Sequence, residues 1–259
     1  MTTVILLDLS YFIFYRYFAL HAWWKLAKPD DDLGIPIENN AFREKFIKTF
    51  KEKIKEIPKK LKIKEFEIIA ARDCSRENIW RNKIYKEYKA NRSYDDDFMG
   101  GPFFKLGIEI IEELKINILY MDNLEADDCI ALYSQFICEE KNVIIIANDM
   151  DYLQLNCEKI NIYNLKYKNL SENKKWSGDK NFDLFTKIVI GDKSDNIPAL
   201  FKKCGIKKVE QLYKDNKLFL ELLEKENVTD LYNRNKILVD FNKIPQDLVD
   251  KFYAKYIFN

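Results

Sequence analysis

The stretch VIIIANDMD, residues 143–151, decides the fold class. Val143 to Ala147 is a short apolar run rich in β-branched side chains, which predicts a buried strand. The run leads directly into Asn148, Asp149 and Asp151. Ligand sites in open α/β sheets lie beyond the carboxyl ends of the strands, so these side chains are in the position of a binding site.

The same arrangement recurs along the chain. Apolar runs predict four more strands, at residues 4–7, 66–70, 116–121 and 160–165. The first two of these runs lead to Asp8 and Asp73. Helical spacing predicts helices at residues 40–57, ended by Pro58, at 106–114, at 124–138, and in the lysine-rich part from Phe182 onward. Strands that alternate with helices favour an α/β fold with a mostly parallel central sheet flanked by helices.

Composition indicates a globular protein with a hydrophobic core and argues against a membrane-spanning or secreted one. Of the 259 residues, 47% are hydrophobic and 33% are charged, which predicts a sizeable core under a well-solvated surface. Asp8 and Arg16 interrupt the most apolar stretch, so we expect no membrane span. No basic leader precedes its apolar part, so we expect no signal peptide, and we expect an intracellular protein. His21 is the only histidine and the five cysteines show no CxxC spacing, which argues for reduced thiols and against a zinc site.

Acidic residues at several strand ends should converge on one edge of the sheet. Converging carboxylates repel each other unless a cation lies between them. Carboxylate oxygens suit Mg²⁺ or Mn²⁺, and two such ions about 3.5–4 Å apart can hold an attacking water and a leaving oxygen on one phosphate. Each element alone has an ordinary alternative, because Asp127 or Asp128 could be a helix N-cap and a DxD is common in loops. The recurrence of acids at the same structural place favours the metal site.

Five motifs lie in order along residues 4–212. They are LLDLSYFIFYRYFAL at residues 6–20, ARDCSRENIWRNKIYKEYKANR at 71–92, NLEADDCIA at 123–131, IIIANDMDYLQL at 144–155 and IVIGDKSDNIP at 188–198. In this order and spacing they resemble the 5′ nuclease family, which comprises phage 5′ exonucleases, flap endonucleases and the 5′ nuclease domain of bacterial DNA polymerase I. The matching elements are two acidic strands, a basic segment, and the EADD, DxD and GDxSDNIP elements.

The resemblance implies a two-ion site under a basic arch. The first ion would be bound by Asp8, Asp73, Glu125 and Asp127. The second ion would be bound by Asp149, Asp151 and one or both of Asp192 and Asp195, with Asp128 nearby. The family's arch is helical and falls at about residues 76–101; the residues that match its phosphate-binding side chains are Tyr88, Lys89 and Arg92, with Arg72 and Arg81 as further contacts.

The segment 76–92 mixes basic and aromatic side chains, among them Trp80, Lys83, Tyr85 and Lys86. Basic groups hold phosphates and aromatic rings stack on bases, a combination suited to single-stranded nucleic acid. The alternative is a solvated helix face with a few core aromatics, but the position of the segment between two acidic motifs favours nucleic-acid contact. The acidic run 95–97, followed by two glycines and a proline, predicts that the arch ends in a mobile loop.

The family's duplex-binding turn would fall at about residues 195–215. The segment reads ALFKKCGIKKVEQLY at residues 199–213, and Gly205 alone remains from the family's usual pair of glycines, so binding of the family's K⁺ ion at this turn stays an open question. Four lysines would hold the duplex backbone by charge, namely Lys202, Lys203, Lys207 and Lys208. We expect a catalytic α/β domain at residues 1–180, which includes the arch, and a helical region at 181–259 with a helix-turn-helix-like element.

These features predict a monomeric, structure-specific 5′ nuclease of DNA replication and repair. We expect 5′→3′ exonuclease or flap endonuclease action on 5′ flaps, nicked or branched duplex and single-stranded 5′ ends, and on RNA in RNA–DNA hybrids. Two alternatives stay open: a ribonuclease on a related, PIN-like acidic-site fold, and a catalytically inactive module that binds DNA structures. Such ribonucleases are usually shorter and lack the arch and SDNIP elements, and an inactive module would have lost acids that are all present here.

Overall fold

The structure, a computed structural model, describes residues 2–92 and 98–258, so the acidic run 95–97 lies outside the described residues. By their internal contacts the residues form two compact units. Unit 1 comprises Met1–Asp73, Tyr94–Met121 and Glu125–Leu170, and unit 2 comprises Cys74–Ser93, Asp122–Leu124 and Ser171–Asn259. The segment 76–92, which the sequence assigned to the catalytic domain, therefore groups with the C-terminal helices.

Unit 1 is built on a parallel sheet. Its strands are β1 Thr3–Asp8, β2 Phe66–Ala71, β3 Asn117–Leu119, β4 Asn142–Ile146 and β5 Ile160–Tyr163. The spatial order is β3-β2-β1-β4-β5, with every neighbouring pair parallel, so the predicted mostly parallel α/β sheet is confirmed. Because β1 lies in the middle with β2 and β4 on either side, the residues that follow these three strands lie next to one another at one edge.

Four helices accompany the sheet in the described part of unit 1: α1 Leu9–Ala27, α2 Asn40–Lys60, α3 Pro102–Glu113 and α4 Ala126–Ile137. The apolar residues that predicted α2 are all buried, and they pack with α1 and α3 into the main core. In that core the rings of Phe12 and Phe50 meet edge to face with centroids 4.7 Å apart. Among the described residues, no helix combines the length and the apolar character needed to cross a membrane.

Pro58 lies inside α2, so the prediction that it ends the helix is wrong. A proline has no N–H to donate to the preceding turn, which normally weakens a helix at that point. Here Ile57 and Pro58 are both buried in the core, and the Leu61 N–H donates to the Ile57 carbonyl at 3.1 Å. Packing and this closing hydrogen bond carry the helix on to Lys60.

Unit 2 is helical. Its α-helices in the described residues are α5 Lys180–Ile190, α6 Ile206–Lys214, α7 Asn216–Lys225, α8 Thr229–Val239 and α9 Gln246–Tyr256. Helices α5, α6 and α7 share a core to which Val189, Val209 and Phe219 contribute. The loop between α5 and α6 carries the GDxSDNIP element. The predicted helical, lysine-rich C-terminal region is therefore confirmed.

The segment 76–92 is not the α-helix that the arch prediction requires. It forms two short 3-10 helices, Arg76–Asn78 and Trp80–Lys83, followed by successive turns. The Asn82 side chain donates to the Arg76 carbonyl at 2.7 Å, and Lys89 adopts a left-handed backbone with φ 55°. Side chains that bond to the local backbone, and a residue with positive φ, both oppose a continuous helix.

Candidate metal centre

Asp8 ends β1 and is the N-cap of α1. One carboxylate oxygen accepts from the Tyr11 N–H at 2.9 Å and the other accepts from the Tyr152 hydroxyl at 3.1 Å. Burial, together with the negative charges of Asp73 and Asp149, raises the pKa of Asp8 to about 7, even though both hydrogen bonds act to lower it. A nearby cation would favour the ionised carboxylate in this place.

Asp73 follows β2 and connects two parts of the same sheet edge. The hydroxyl of Ser10, in the first turn of α1, donates to Asp73 Oδ2 at 2.5 Å. The backbone N–H of Ala126, at the start of α4, donates to Asp73 Oδ1 at 2.9 Å. The carboxylate is exposed. Asp73 is thereby fixed between the residues that follow β1 and the acidic turn that begins α4.

The EADD element forms the first turn of α4. Glu125 is the N-cap, and it exchanges hydrogen bonds with Asp128 in a capping box. The N-cap of α4 is therefore Glu125, and Asp128 is its capping-box partner. The alternative that Asp127 or Asp128 is itself the N-cap is wrong. One carboxylate oxygen from each of Glu125, Asp127 and Asp128 lies within 4.8 Å of the other two. This spacing is compatible with ligands of a shared cation.

Asp149 and Asp151 follow β4 in a 3-10 turn. Asp149 is exposed and caps this turn, since its Oδ1 accepts from the Asp151 N–H at 2.9 Å. The next residue, Tyr152, is 0% exposed. Burial raises the pKa of its hydroxyl well above the ordinary value, and so do four carboxylates around it, those of Asp8, Asp127, Asp149 and Asp73. Tyr152 is thus an uncharged donor within the acidic group, and the sequence analysis did not assign it a role.

The acids of unit 1 have the chemistry that a divalent cation requires. They supply hard oxygen donors, which suit Mg²⁺ or Mn²⁺, and no histidine or cysteine is among them. Burial is the main cause of the raised pKa of Asp8, and the negative charges of Asp73 and Asp149 add to it. A bound cation would relieve that repulsion, so the residues fit a metal centre.

Asp192 and Asp195 lie in unit 2, on the loop between α5 and α6. Lys187 Nζ lies 2.6 Å from Asp192 Oδ2, and the Ser194 hydroxyl donates to Asp192 Oδ1 at 2.6 Å. Burial acts to raise the pKa of Asp192, but Lys187 and Ser194 outweigh it and lower the value to about 2. Asp192 is therefore ionised at neutral pH, with a lysine as its partner.

The basic segment contacts this same loop. Arg92 Nη2 lies 2.5 Å from Asp195 Oδ1, and Arg92 Nε donates to the Ser194 carbonyl at 3.1 Å. The Lys89 N–H donates to the Asp195 carbonyl at 2.9 Å, and the Lys89 side chain is half-buried. The side chain of Tyr88 is buried, with its hydroxyl 3.4 Å from Asp195 Oδ2. The expected phosphate contact of Tyr88 stays a prediction, and it requires this buried side chain to become exposed.

The expected phosphate contact of Arg81 likewise requires a side chain that is buried here to become exposed. Arg81 is 2% exposed, and its Nε donates to the Leu238 carbonyl at 2.8 Å. Arg72 is half-buried, with its guanidinium 4.0 Å from the centroid of the Tyr120 ring. The other expected DNA-binding lysines are exposed, as charge contacts with a backbone require: Lys83, Lys86, Lys202, Lys203, Lys207 and Lys208.

Comparison with protein families gives one match over most of the chain. The family described as 5′-3′ exonuclease, N-terminal resolvase-like domain, matches residues 3–183. A relative named ribonuclease H, from Enterobacteria phage T4, is 28% identical over 222 residues, which cover 73% of this chain and 69% of the relative. A 5′-3′ exonuclease of Buchnera aphidicola subsp. Acyrthosiphon pisum is 34% identical over 172 residues, 64% of this chain and 56% of that one.

The chain spans little more than half the length of several of these relatives. The aligned part covers 51% of a 5′-3′ exonuclease of Bacillus subtilis. Among solved structures, a variant of the T5 D15 flap endonuclease in a complex with DNA and metal ions has the same fold, with a TM-score of 0.67 over 97% of each chain at 18% identity. With a family match that extends from β1 into α5 and includes every acid of the metal centre in unit 1, this chain belongs to the family of 5′-3′ exonuclease N-terminal, resolvase-like domains.

Proposed function

We propose that this chain is a metal-dependent 5′ nuclease that hydrolyses phosphodiester bonds of DNA, as a 5′→3′ exonuclease and flap endonuclease. The observation that carries the proposal is the group of carboxylates around the buried hydroxyl of Tyr152 at the edge of the parallel sheet. The T5 D15 neighbour, which has the same fold, was solved with DNA and metal ions, and this supports the choice of substrate.

Two divalent ions, Mg²⁺ or Mn²⁺, would supply the activated water and the charge that stabilises the leaving oxygen. We assign the first ion to Asp8, Asp73, Glu125 and Asp127. We assign the second to Asp149 and Asp151 with Asp192 and Asp195. Asp128 supports the first turn of α4 through its capping box. The chemistry needs no side-chain nucleophile, so the single histidine of the chain has no role in it.

Lys89 and Arg92 are the cations that we assign to the scissile phosphate. Donors that face developing negative charge stabilise the transition state of phosphoryl transfer. The guanidinium of Arg92 already holds a carboxylate, that of Asp195, so Arg92 must exchange or share this partner when a phosphate binds. The exposed lysines of the loop and of α6, including Lys202 and Lys207, would hold the duplex backbone in register without reading its sequence.

RNA in RNA–DNA hybrids is a second candidate substrate. The relative from phage T4 carries the name ribonuclease H, and its similarity extends over 73% of this chain. The acidic centre that would cut DNA acts on the phosphate, and so it does not by itself distinguish ribose from deoxyribose. We therefore propose that the chain cleaves RNA–DNA hybrids as well as DNA. We also propose that it acts as a monomer, at the places where DNA is replicated and repaired.

A cleavage assay with a panel of substrates tests the proposal. The purified chain is incubated in Mg²⁺ with a 5′-flap duplex, a nicked duplex, a single strand and an RNA–DNA hybrid, each labelled at the 3′ end of the strand that is to be cut. We expect products with a 5′-phosphate from the flap and nicked substrates, and none in chelator. Cleavage that continues in excess chelator, or no cleavage of any 5′-ended substrate in Mg²⁺ or Mn²⁺, would contradict the proposal.

A further inference from the structure

The C-terminal helix α8 carries an asparagine whose side chain is fully buried in unit 2. Asn235 is 0% exposed, and its amide nitrogen donates to two backbone carbonyls, to Ile188 at 3.1 Å and to Pro198 at 2.8 Å. These two carbonyls stand at the two ends of the segment 189–197, which contains the residues GDKSDNI. One side chain therefore bridges the base of the loop that carries Asp192 and Asp195.

The first of these hydrogen bonds completes the end of α5. The last carbonyls of a helix have no partner within the helix and need one elsewhere. The Lys187 carbonyl accepts from the Gly191 N–H at 2.8 Å and the Val189 carbonyl accepts from the Leu200 N–H at 2.9 Å. The Ile188 carbonyl lies between them along the chain and accepts from Asn235. Both donated bonds require an NH₂ group, which sets the orientation of the amide.

The loop held in this way is in turn bonded to the basic segment. The Asn196 side chain donates to the Glu87 carbonyl at 2.8 Å, and the Lys89 N–H donates to the Asp195 carbonyl at 2.9 Å. The same helix α8 also contacts the basic segment directly, because the Arg234 guanidinium lies 4.1 Å from the centroid of the Tyr85 ring. Helix α8 therefore supports both the acidic loop and the backbone at Lys89.

We propose that Asn235 is a positioning residue for the metal centre: it fixes the segment 189–197, and with it Asp192, Asp195 and the backbone at Lys89. This inference rests on the proposed function, because it takes Asp192 and Asp195 as metal ligands. Asn235 itself contacts neither the metal nor the substrate. Its effect passes through the backbone of the loop, so its loss should loosen ligands that other residues supply.

Amide hydrogen exchange of the metal-free protein tests the positioning directly. In Asn235→Leu, a variant of similar size without donors, we expect exchange about tenfold faster or more at the amides of Asp192, Ile197, Leu200 and Lys89, because two carbonyls lose their partner. The amides of the sheet in unit 1 should be unchanged. Mn²⁺ binding, measured by calorimetry on the whole chain, should weaken about tenfold, and the Mg²⁺ concentration for half-maximal cleavage should rise.

Leu248→Ala in α9 is the control, because it removes a buried apolar side chain from the same unit and leaves the hydrogen-bonding groups of Asn235 in place. If Asn235→Leu gives the same exchange pattern and the same Mn²⁺ affinity as this control, the inference is wrong even though the wild type cleaves DNA. If the wild type does not cleave at all, the proposed function is wrong. The hydrogen-exchange experiment still tests, independently of cleavage, whether Asn235 fixes the segment 189–197. If Asn235→Leu and Asn235→Ala both fail to fold, amide hydrogen exchange in the wild type is the test. The amides of the segment 189–197 should then exchange in the same opening event as those of α8. Exchange of the segment in an earlier opening event would overturn the inference.

Discussion

Arg92 places its Nη2 atom 2.5 Å from Oδ1 of Asp195. Both residues were selected from the sequence for different tasks, one as a phosphate-binding cation and the other as a metal ligand. In this structure they bind each other. The ion pair keeps the Arg92 guanidinium next to a proposed metal ligand. When a phosphate binds, Arg92 would exchange the Asp195 carboxylate for the phosphate or share itself between the two.

Replacing Arg92 with alanine should affect cleavage far more than folding. The arginine side chain is 51% exposed, so solvent screens the ion pair and its loss should change stability by about 1 kcal/mol or less. If Arg92 binds the scissile phosphate, single-turnover cleavage of a 5′ flap should slow by about tenfold to a thousandfold. Lys59→Ala removes an exposed positive charge elsewhere and serves as the control. Equal rates for the two variants would remove Arg92 from the catalytic assignment.

Tyr152→Phe should weaken metal binding without disturbing the core. The Tyr152 hydroxyl donates to Asp8 at 3.1 Å and lowers the pKa of that carboxyl, so its removal should raise the pKa further. We expect the half-saturating Mg²⁺ concentration at pH 7 to rise by about tenfold, as for loss of a hydrogen bond to a charged group, and the difference to shrink at pH 9. Tyr133→Phe, in α4, is the matched control. A Tyr152→Phe curve that coincides with the control at both pH values would contradict the role.

The metal-free protein should lose stability as the pH rises toward 8. The pKa of Asp8 is about 7 in the folded chain against an ordinary value of 3.8, so folding favours the protonated form. Its contribution to stability is complete below about pH 3.8 and is lost as the pH rises through about 7. Asp8→Asn stays neutral, so in chelator at pH 8 its melting temperature should exceed that of the wild type by about 2–6 °C.

Thermal unfolding at pH 5 and pH 8, with chelator and with Mg²⁺, checks the effect of Asp8. The advantage of Asp8→Asn should be smaller at pH 5, where Asp8 is largely protonated in the folded wild type as well. Mg²⁺ at pH 8 should stabilise the wild type and leave the variant nearly unchanged. An Asp8→Asn protein that is less stable than the wild type in chelator at pH 8 would show that charge is not crowded at this edge.

Gly191→Ala should destabilise unit 2. Gly191 has φ +79°, and a Cβ atom there would lie 2.3 Å from the Ile197 carbonyl oxygen. We expect the free energy of unfolding in urea to fall by about 2–4 kcal/mol, from backbone strain and the steric clash together. Gly178→Ala isolates the strain, because Gly178 has φ +87° but a Cβ atom there would meet no atom of a non-neighbouring residue within 4 Å. Equal losses for the two variants would mean that the close approach at residue 197 is not required.

The sequence was sufficient for the elements that depend on local patterns. Apolar runs located β1, β2 and β4, and in a parallel sheet their carboxyl ends must lie at one edge, so the pattern alone predicts that Asp8, Asp73 and Asp149 lie close together. Tyr152 carried a weaker signal. It directly follows the DxD element, but a tyrosine after a turn is usually a core residue, and only the contact with Asp8, 144 positions away, gives it a role.

The sequence does not predict hydrogen bonds between residues that are far apart along the chain. Arg81 lies in a basic segment and suggests an exposed cation, yet its partner is the carbonyl of Leu238, 157 positions away. Burial of that guanidinium follows from the packing of α8, which no local pattern in residues 76–92 encodes. The partner of Asn235 is also remote. An asparagine within a helix gives no indication that its side chain bonds to the backbone of a loop 37 positions earlier.

Single-turnover cleavage of a 5′-flap substrate by the wild type, Asp73→Asn and Asp149→Asn, with DNA binding measured in parallel, tests whether the acids at the sheet edge bind the catalytic ions. Each substitution removes a charge and a proposed ligand with almost no change in volume. We expect rapid cleavage by the wild type in Mg²⁺ and none in chelator. We expect a loss of about a thousandfold or more in both variants, with DNA affinity retained. Near wild-type cleavage by either variant, or wild-type cleavage in chelator, would contradict the assignment of these acids as metal ligands.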